Sequence, residues 1–185
     1  MGQLTVHNLI EAMQHTKTKI LVLTETGYIT PSVIPRLQRQ HPNYRILHTA
    51  TPTAATLPKN QGIAIILHKD IAATLHPNSP STIITPYRTL ALQFAPPPGR
   101  HTWFLVGTYL PTTAHQPTQQ ALLAHITQTL THNKGNTYYA LVGDVNDIDS
   151  GLDSDNPQRP IIEQGITTQL HNAPLLDAYR HTHEE

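Results

Sequence analysis

Apolar residues along this chain fall into short blocks with two different periods. Leu9, Ile10 and Met13 recur at helical spacing between Thr5 and Thr16, so the first segment predicts a helix with Thr5 as its N-cap. "KILVLTET" then carries a continuous apolar run, Ile20 to Leu23, which predicts a buried strand ending in Thr24, Glu25 and Thr26. "PSVIPRLQRQH" predicts a second helix opening at Pro31 and kept short by Pro35. "YRILHTA" and "GIAIILHKDI" predict strands on either side of a Thr/Ala/Pro loop from Thr49 to Asn60. "STIITPYRTLALQFA" alternates after Pro86, and "HTWFLVGTYL" follows across Pro-Pro-Pro-Gly, which predicts a hairpin.

The segment "TQQALLAHITQTLTHNKG" gives the clearest helix. Leu122, Leu123, Ile126 and Leu130 form its stripe, Thr118 is its expected cap and Gly135 its stop. "YYALVGD" predicts a last strand, and "RPIIEQGITTQLHNAPLLDAYRH" two short helices broken at Pro174. There is no internal repeat or linker, so residues 1–185 are read as one domain. Helices mixed with a strand meander indicate an α/β chain of α+β type, a mainly antiparallel or mixed sheet covered by helices.

Composition narrows the partners only slightly. Twelve Lys plus Arg balance twelve Asp plus Glu, so no broad basic face for nucleic acid is indicated. The 13 histidines make the charge acid-sensitive, and those such as His115, His125 and His132 have no zinc-binding spacing, which predicts surface positions. The absence of cysteine excludes disulfides and thiolate metal sites. No apolar run approaches the roughly 20 residues that span a bilayer, and "MGQLTVHNLIEAMQ" lacks a signal-peptide pattern. Val6 also stands where a myristoylation signal needs Ser or Thr. The expectation is an intracellular protein, nuclear or cytoplasmic, without a membrane partner.

Chemistry concentrates where strands end. "LVLTET" delivers Glu25, "LVGTYLP" delivers Tyr109, and "LVGDVND" delivers Asp144 and Asn146. Strands fix their ends rigidly, so polar groups there can be preorganised. Mg²⁺ is a hard cation that takes oxygen ligands and needs only one or two carboxylates, with water and phosphate completing its shell. Glu25 suits that role. Asp144 can orient and deprotonate a water, while Asn146 and Tyr109 can hydrogen-bond a phosphate oxygen. Each has a plainer reading: Glu25 as a surface residue, Asp144 and Asn146 as turn formers, Tyr109 as packing. Asp147, Asp149, Asp153 and Asp155 lack the spacing of a calcium loop and are read as a solvated acidic loop. "APPPGR" is read as a rigid turn.

Together, "ILVLTETG", "NQGIAIILHKDI", "FLVGTYLPTT", "LVGDVND" and "LLDAYRHTHEE" resemble, in order, the endonuclease/exonuclease/phosphatase superfamily, and within it the apurinic-type endonucleases of retrotransposons. The resemblance implies a four-layer α/β sandwich, here partial, and a Mg²⁺- or Mn²⁺-dependent phosphodiester hydrolase acting on DNA, with a fused or separate reverse transcriptase as partner. It assigns Glu25 and Asp144 to the metal, Asp144, Asn146 and Tyr109 to catalysis, and Asp177 and Arg180 to a structural element.

Departures from the family pattern are equally visible. No "WN-x-N-G"-like strand precedes the first helix, Asn8 lies inside that helix, and neither His181 nor His183 sits in an "S-D-H" context. Val145 replaces an aromatic. The resemblance therefore implies a domain lacking the family's first strand and its C-terminal strands. Two alternatives follow: a non-catalytic remnant or interaction module that self-associates through exposed sheet edges, and a phosphatase for a small phosphate ester or phosphoinositide.

Overall fold

The computed structural model describes residues 3–27, 29, 32–49, 61–77, 82–85, 87–95, 101–110, 116–132 and 137–146. The chain divides into two compact units, one of residues 1–109 and 130–144, the other of residues 110–129 and 145–185.

The first unit holds two sheets. α1 (Gln3–Thr16) leads into β1 (Ile20–Thr24), α2 (Val33–Gln40), β2 (Tyr44–His48) and β3 (Ile63–His68). These strands form an antiparallel sheet in the order β1-β3-β2. Its central strand β3 is buried along Ile63–Leu67 on both faces, which explains why "IAIIL" is a continuous apolar run. Ala64 and Ile66 face Val6, Ile10 and Met13 of α1 and Leu37 of α2; Ile63, Ile65 and Leu67 face the other sheet. Each buried Ile or Leu here contributes roughly 1.5–3 kcal/mol of apolar transfer. Pro35 is tolerated because it lies in the first turn of α2, where its missing N–H has no helical partner.

The helical turn α3 (Lys69–Ala72) follows β3 directly, so the predicted strand "GIAIILHKDI" ends three residues early. There the backbone N–H of Asp70 donates to His68 Nδ1 (3.4 Å), and the His68 ring caps the turn.

The second sheet has the order β4-β5-β6-β7, from β4 (Thr82–Thr85), β5 (Thr89–Phe94), β6 (Thr102–Tyr109) and β7 (Thr137–Asp144). β5 and β6 form the predicted antiparallel hairpin, whereas β7 runs parallel to β6. The sheets pack face to face through Leu90, Leu92, Phe94 and Leu105, with Trp103 stacked on Phe94 at 3.9 Å. At Gly107 a Cβ would lie 3.2 Å from side-chain carbons of both Val22 and Ile63, so glycine permits this close approach. Helices, first sheet and second sheet thus give three layers within this unit.

In the second unit, α4 (Gln116–His132) is described through residues 116–129. Gln119, Leu122, Leu123 and Ile126 are its buried stripe, as the periodicity predicts. The helix begins two residues before the expected cap Thr118, because Pro117 in the first turn presets its φ. The side chain of Leu130, together with Gly135, the acidic loop, "APPPGR" and the "RPIIEQGITTQLHNAPLLDAYRH" helices, lies outside the described residues. No described helix is long and apolar enough to cross a membrane.

The histidines correct one expectation. His125 is exposed, but His41 is buried at the end of α2 and His48 is half-buried at the end of β2. His41 Nε2 meets His7 Nδ1 at 2.7 Å, and burial followed by the His7 charge lowers its pKa.

Candidate active site

Glu25 follows the last residue of β1 and takes a left-handed conformation, φ 55°. That geometry costs a non-glycine residue roughly 1–2 kcal/mol, so its surroundings must hold it. Thr26 does much of the holding. It is fully buried, its N–H donates to the Gly62 carbonyl (3.2 Å), and its Oγ1 lies 2.9 Å from His48 Nε2. Burial pushes the His48 pKa down to about 4, against a weaker upward pull from its hydrogen bond with the Thr26 backbone. A neutral imidazole therefore braces the turn that presents Glu25.

The same rim is tied to the segment that enters β5 by one backbone bond, from the Gly62 N–H to the Tyr87 carbonyl (2.9 Å). Within the second sheet, the Tyr109 N–H donates to the Arg88 carbonyl (2.9 Å). Tyr87 is also left-handed, φ 64°. Two strained non-glycine residues thus lie at one end of the unit, the kind of clustering found at functional sites.

Tyr109 closes β6 with its ring buried between the sheets and its hydroxyl donating 2.5 Å to Glu25 Oε1. Asp144 closes β7 as the parallel register partner of Tyr109 and is exposed. Just before it, Gly143 has φ 152°, and a Cβ there would fall on the carbonyl oxygen of Thr108. The glycine of "LVGD" is therefore required by the approach of β7 to β6, and Asp144 is delivered immediately after it. β1 lies against both β6 and β7, so Glu25, Tyr109 and Asp144 leave their strands at one rim.

Asn146 belongs to the second unit. Within it, Asn146 is left-handed, φ 52°, and its Nδ2 donates 2.6 Å to the Leu110 carbonyl. One N–H of its amide thus bonds a backbone carbonyl 36 positions earlier in the chain. Asp177, Arg180, His181 and His183 lie outside the described residues.

The donor set suits a hard divalent cation sparingly. Among the described residues no group of three or more His, Cys, Asp or Glu converges as a metal cage. Mg²⁺ needs no such cage: one or two exposed carboxylates with water suffice. Glu25 and Asp144 are exposed carboxylates at the same rim, and the Tyr109 hydroxyl fixes one Glu25 oxygen while leaving the other to a ligand. Arg88 was not singled out by any motif. Its guanidinium carbon lies 4.9 Å from the centre of the Tyr109 ring, a contact that only the fold creates.

No family profile matches this chain and no curated protein matches it. Solved structures do. A humanized D. rerio TDP2 is similar with TM-score 0.58 and 15% identity, over 92% of this chain and 59% of that one. D. rerio TDP2 complexed with a single-strand DNA product matches with TM-score 0.57 and 16% identity, over 77% and 53%. AP endonuclease LMAP from Leishmania major matches with TM-score 0.56 and 15% identity, over 74% and 48%. The chain spans about half the length of these structures. They are endonuclease/exonuclease/phosphatase superfamily proteins, and this chain has the fold of that superfamily.

Proposed function

We propose that this chain, having the endonuclease/exonuclease/phosphatase fold, is a divalent-metal-dependent phosphodiester hydrolase acting on DNA. The observation that carries the reading is the hydrogen bond from Tyr109 to Glu25, which joins the end of β1 to the rim where Asp144 ends β7. Glu25 and Asp144 would hold Mg²⁺ or Mn²⁺. When bound, such an ion supplies positive charge to polarise the phosphodiester. Asp144 orients the attacking water and takes its proton as a P–O bond breaks; Tyr109 fixes the Glu25 carboxylate and stands beside the phosphate.

For Asn146 the support is the motif resemblance alone, as it is for a retrotransposon origin and an associated reverse transcriptase. DNA as substrate is further supported by the TDP2 similarity, since that protein is seen with a single-strand DNA product.

The test is plasmid nicking by the purified chain with Mg²⁺ or Mn²⁺. Glu25→Gln and Asp144→Asn each reduce nicking at least a hundredfold, with unchanged circular dichroism. If a folded wild-type chain is inert on DNA and cleaves a small phosphate ester, the substrate assignment falls; if both carboxamide variants nick like wild type, the site assignment falls.

A further inference from the structure

Arg88 precedes β5 and stands opposite Tyr109 across the hairpin, its carbonyl accepting the Tyr109 N–H. Arg88, Tyr109 and Asp144 therefore occupy neighbouring positions along one edge of the second sheet, with Glu25 bonded to the middle residue. The Arg88 guanidinium lies over the Tyr109 ring, so the ring packs one side of it. Arg88 is half-buried, and among the described residues no hydrogen bond or ion pair engages its guanidinium N–H groups. A half-buried cation whose guanidinium N–H groups engage none of the described residues, on a sheet edge that also carries two exposed carboxylates that would repel a phosphodiester, has an evident use.

We propose that Arg88 is a substrate-binding residue that grips a phosphate oxygen of single-stranded nucleic acid beside Glu25, with Tyr109 as the platform that fixes its side chain. This rests on the phosphodiesterase reading for its setting and adds a phosphate contact to it. The chemistry is that of a planar guanidinium, whose fork matches two phosphate oxygens where a lysine ammonium offers a point charge. Packing on Tyr109 removes part of the rotamer freedom the side chain would otherwise lose on binding.

The experiment measures hexathymidylate binding to the full chain in EDTA, which prevents turnover, alongside steady-state kinetics with Mg²⁺. In wild type the Arg88 Nε–Hε resonance shifts saturably as hexathymidylate is added. Arg88→Gln weakens binding about tenfold to a hundredfold and raises KM by a similar factor, with kcat much less changed. Arg88→Lys keeps a cation over the ring and regains only part of the loss. A merely structural role predicts instead that Lys restores the wild-type values and that Gln lowers the melting temperature and leaves KM unaltered.

If Arg88→Gln folds and binds hexathymidylate like wild type, or wild type does not bind it, the proposal is overturned. Binding through Arg88 without Glu25-dependent cleavage would uphold it and sink the catalytic reading. Glu25-dependent cleavage with an unaltered KM in Arg88→Gln would do the reverse.

Discussion

The brace behind Glu25 makes a quantitative prediction about acid stability. His48 has an ordinary pKa of 6.5 that burial lowers to about 4 in the folded chain. The unfolded chain therefore takes up the proton first as pH falls, which favours unfolding. Stability from neutral His48 is fully present above pH 6.5 and is lost progressively as pH falls through the folded value near 4. Taking 1.36 kcal/mol per pKa unit, the loss between pH 7.5 and 4 is roughly 3 kcal/mol, a large share of the ~5–15 kcal/mol a domain has. His48→Gln keeps a side chain able to bond Thr26 but does not titrate, so it isolates this contribution. His41 and Asp70 also have lowered pKa values, and those effects cancel when the two proteins are subtracted. Urea unfolding at half-unit steps from pH 7.5 to 4 measures the difference. Wild type should lose about 3 kcal/mol more than His48→Gln, with the gap opening below pH 6.5. Parallel stability curves for the two proteins would refute a half-buried neutral imidazole behind the Glu25 turn.

Other expectations follow from single positions. The Thr89 hydroxyl is buried without a hydrogen-bond partner among the described residues, so Thr89→Val should stabilise the chain by about 1 kcal/mol in the same urea assay. Gly143→Ala should destabilise by about 2 kcal/mol or more, since the added methyl meets the Thr108 carbonyl and the backbone is already at positive φ. Tyr109→Phe should fold normally while lowering kcat roughly tenfold to a thousandfold, as one preorganised donor is lost next to Glu25. Tyr138 and Val142 are 63% and 42% exposed on β7, which pairs only with β6 among the described residues. Val142→Lys should therefore reduce any self-association seen by sedimentation without lowering the melting temperature.

Much of this was legible in the sequence because burial writes itself into periodicity. β3 is sandwiched between helices and a second sheet, and its unbroken "IAIIL" follows from that. The α4 stripe is legible for the same reason, as is the β5–β6 hairpin. Sheet membership is another matter. Nothing in "ILVLT" or "YYALVGD" says that one strand joins an antiparallel sheet and the other runs parallel to β6, because pairing direction depends on distant partners. As candidates, Glu25, Tyr109 and Asp144 are legible because each ends an apolar strand, and strand ends are visible locally. Arg88 and His48 were missed for the opposite reason: Arg88 gains its meaning from a ring 21 positions later, and His48 from a threonine 22 positions earlier. The bond from the Asn146 amide to the Leu110 carbonyl joins residues 36 positions apart, which no local pattern reveals.

The central claim is that Glu25 and Asp144 share one divalent cation, and Mn²⁺ can report it without any turnover. Adding substoichiometric Mn²⁺ to ¹⁵N-labelled protein should broaden the amide resonances of Glu25, Tyr109 and Asp144 together, reversibly with excess Mg²⁺, and the effect should vanish from all three in Glu25→Gln. Broadening confined to one of the carboxylates, or equal broadening in the variant, would contradict the account.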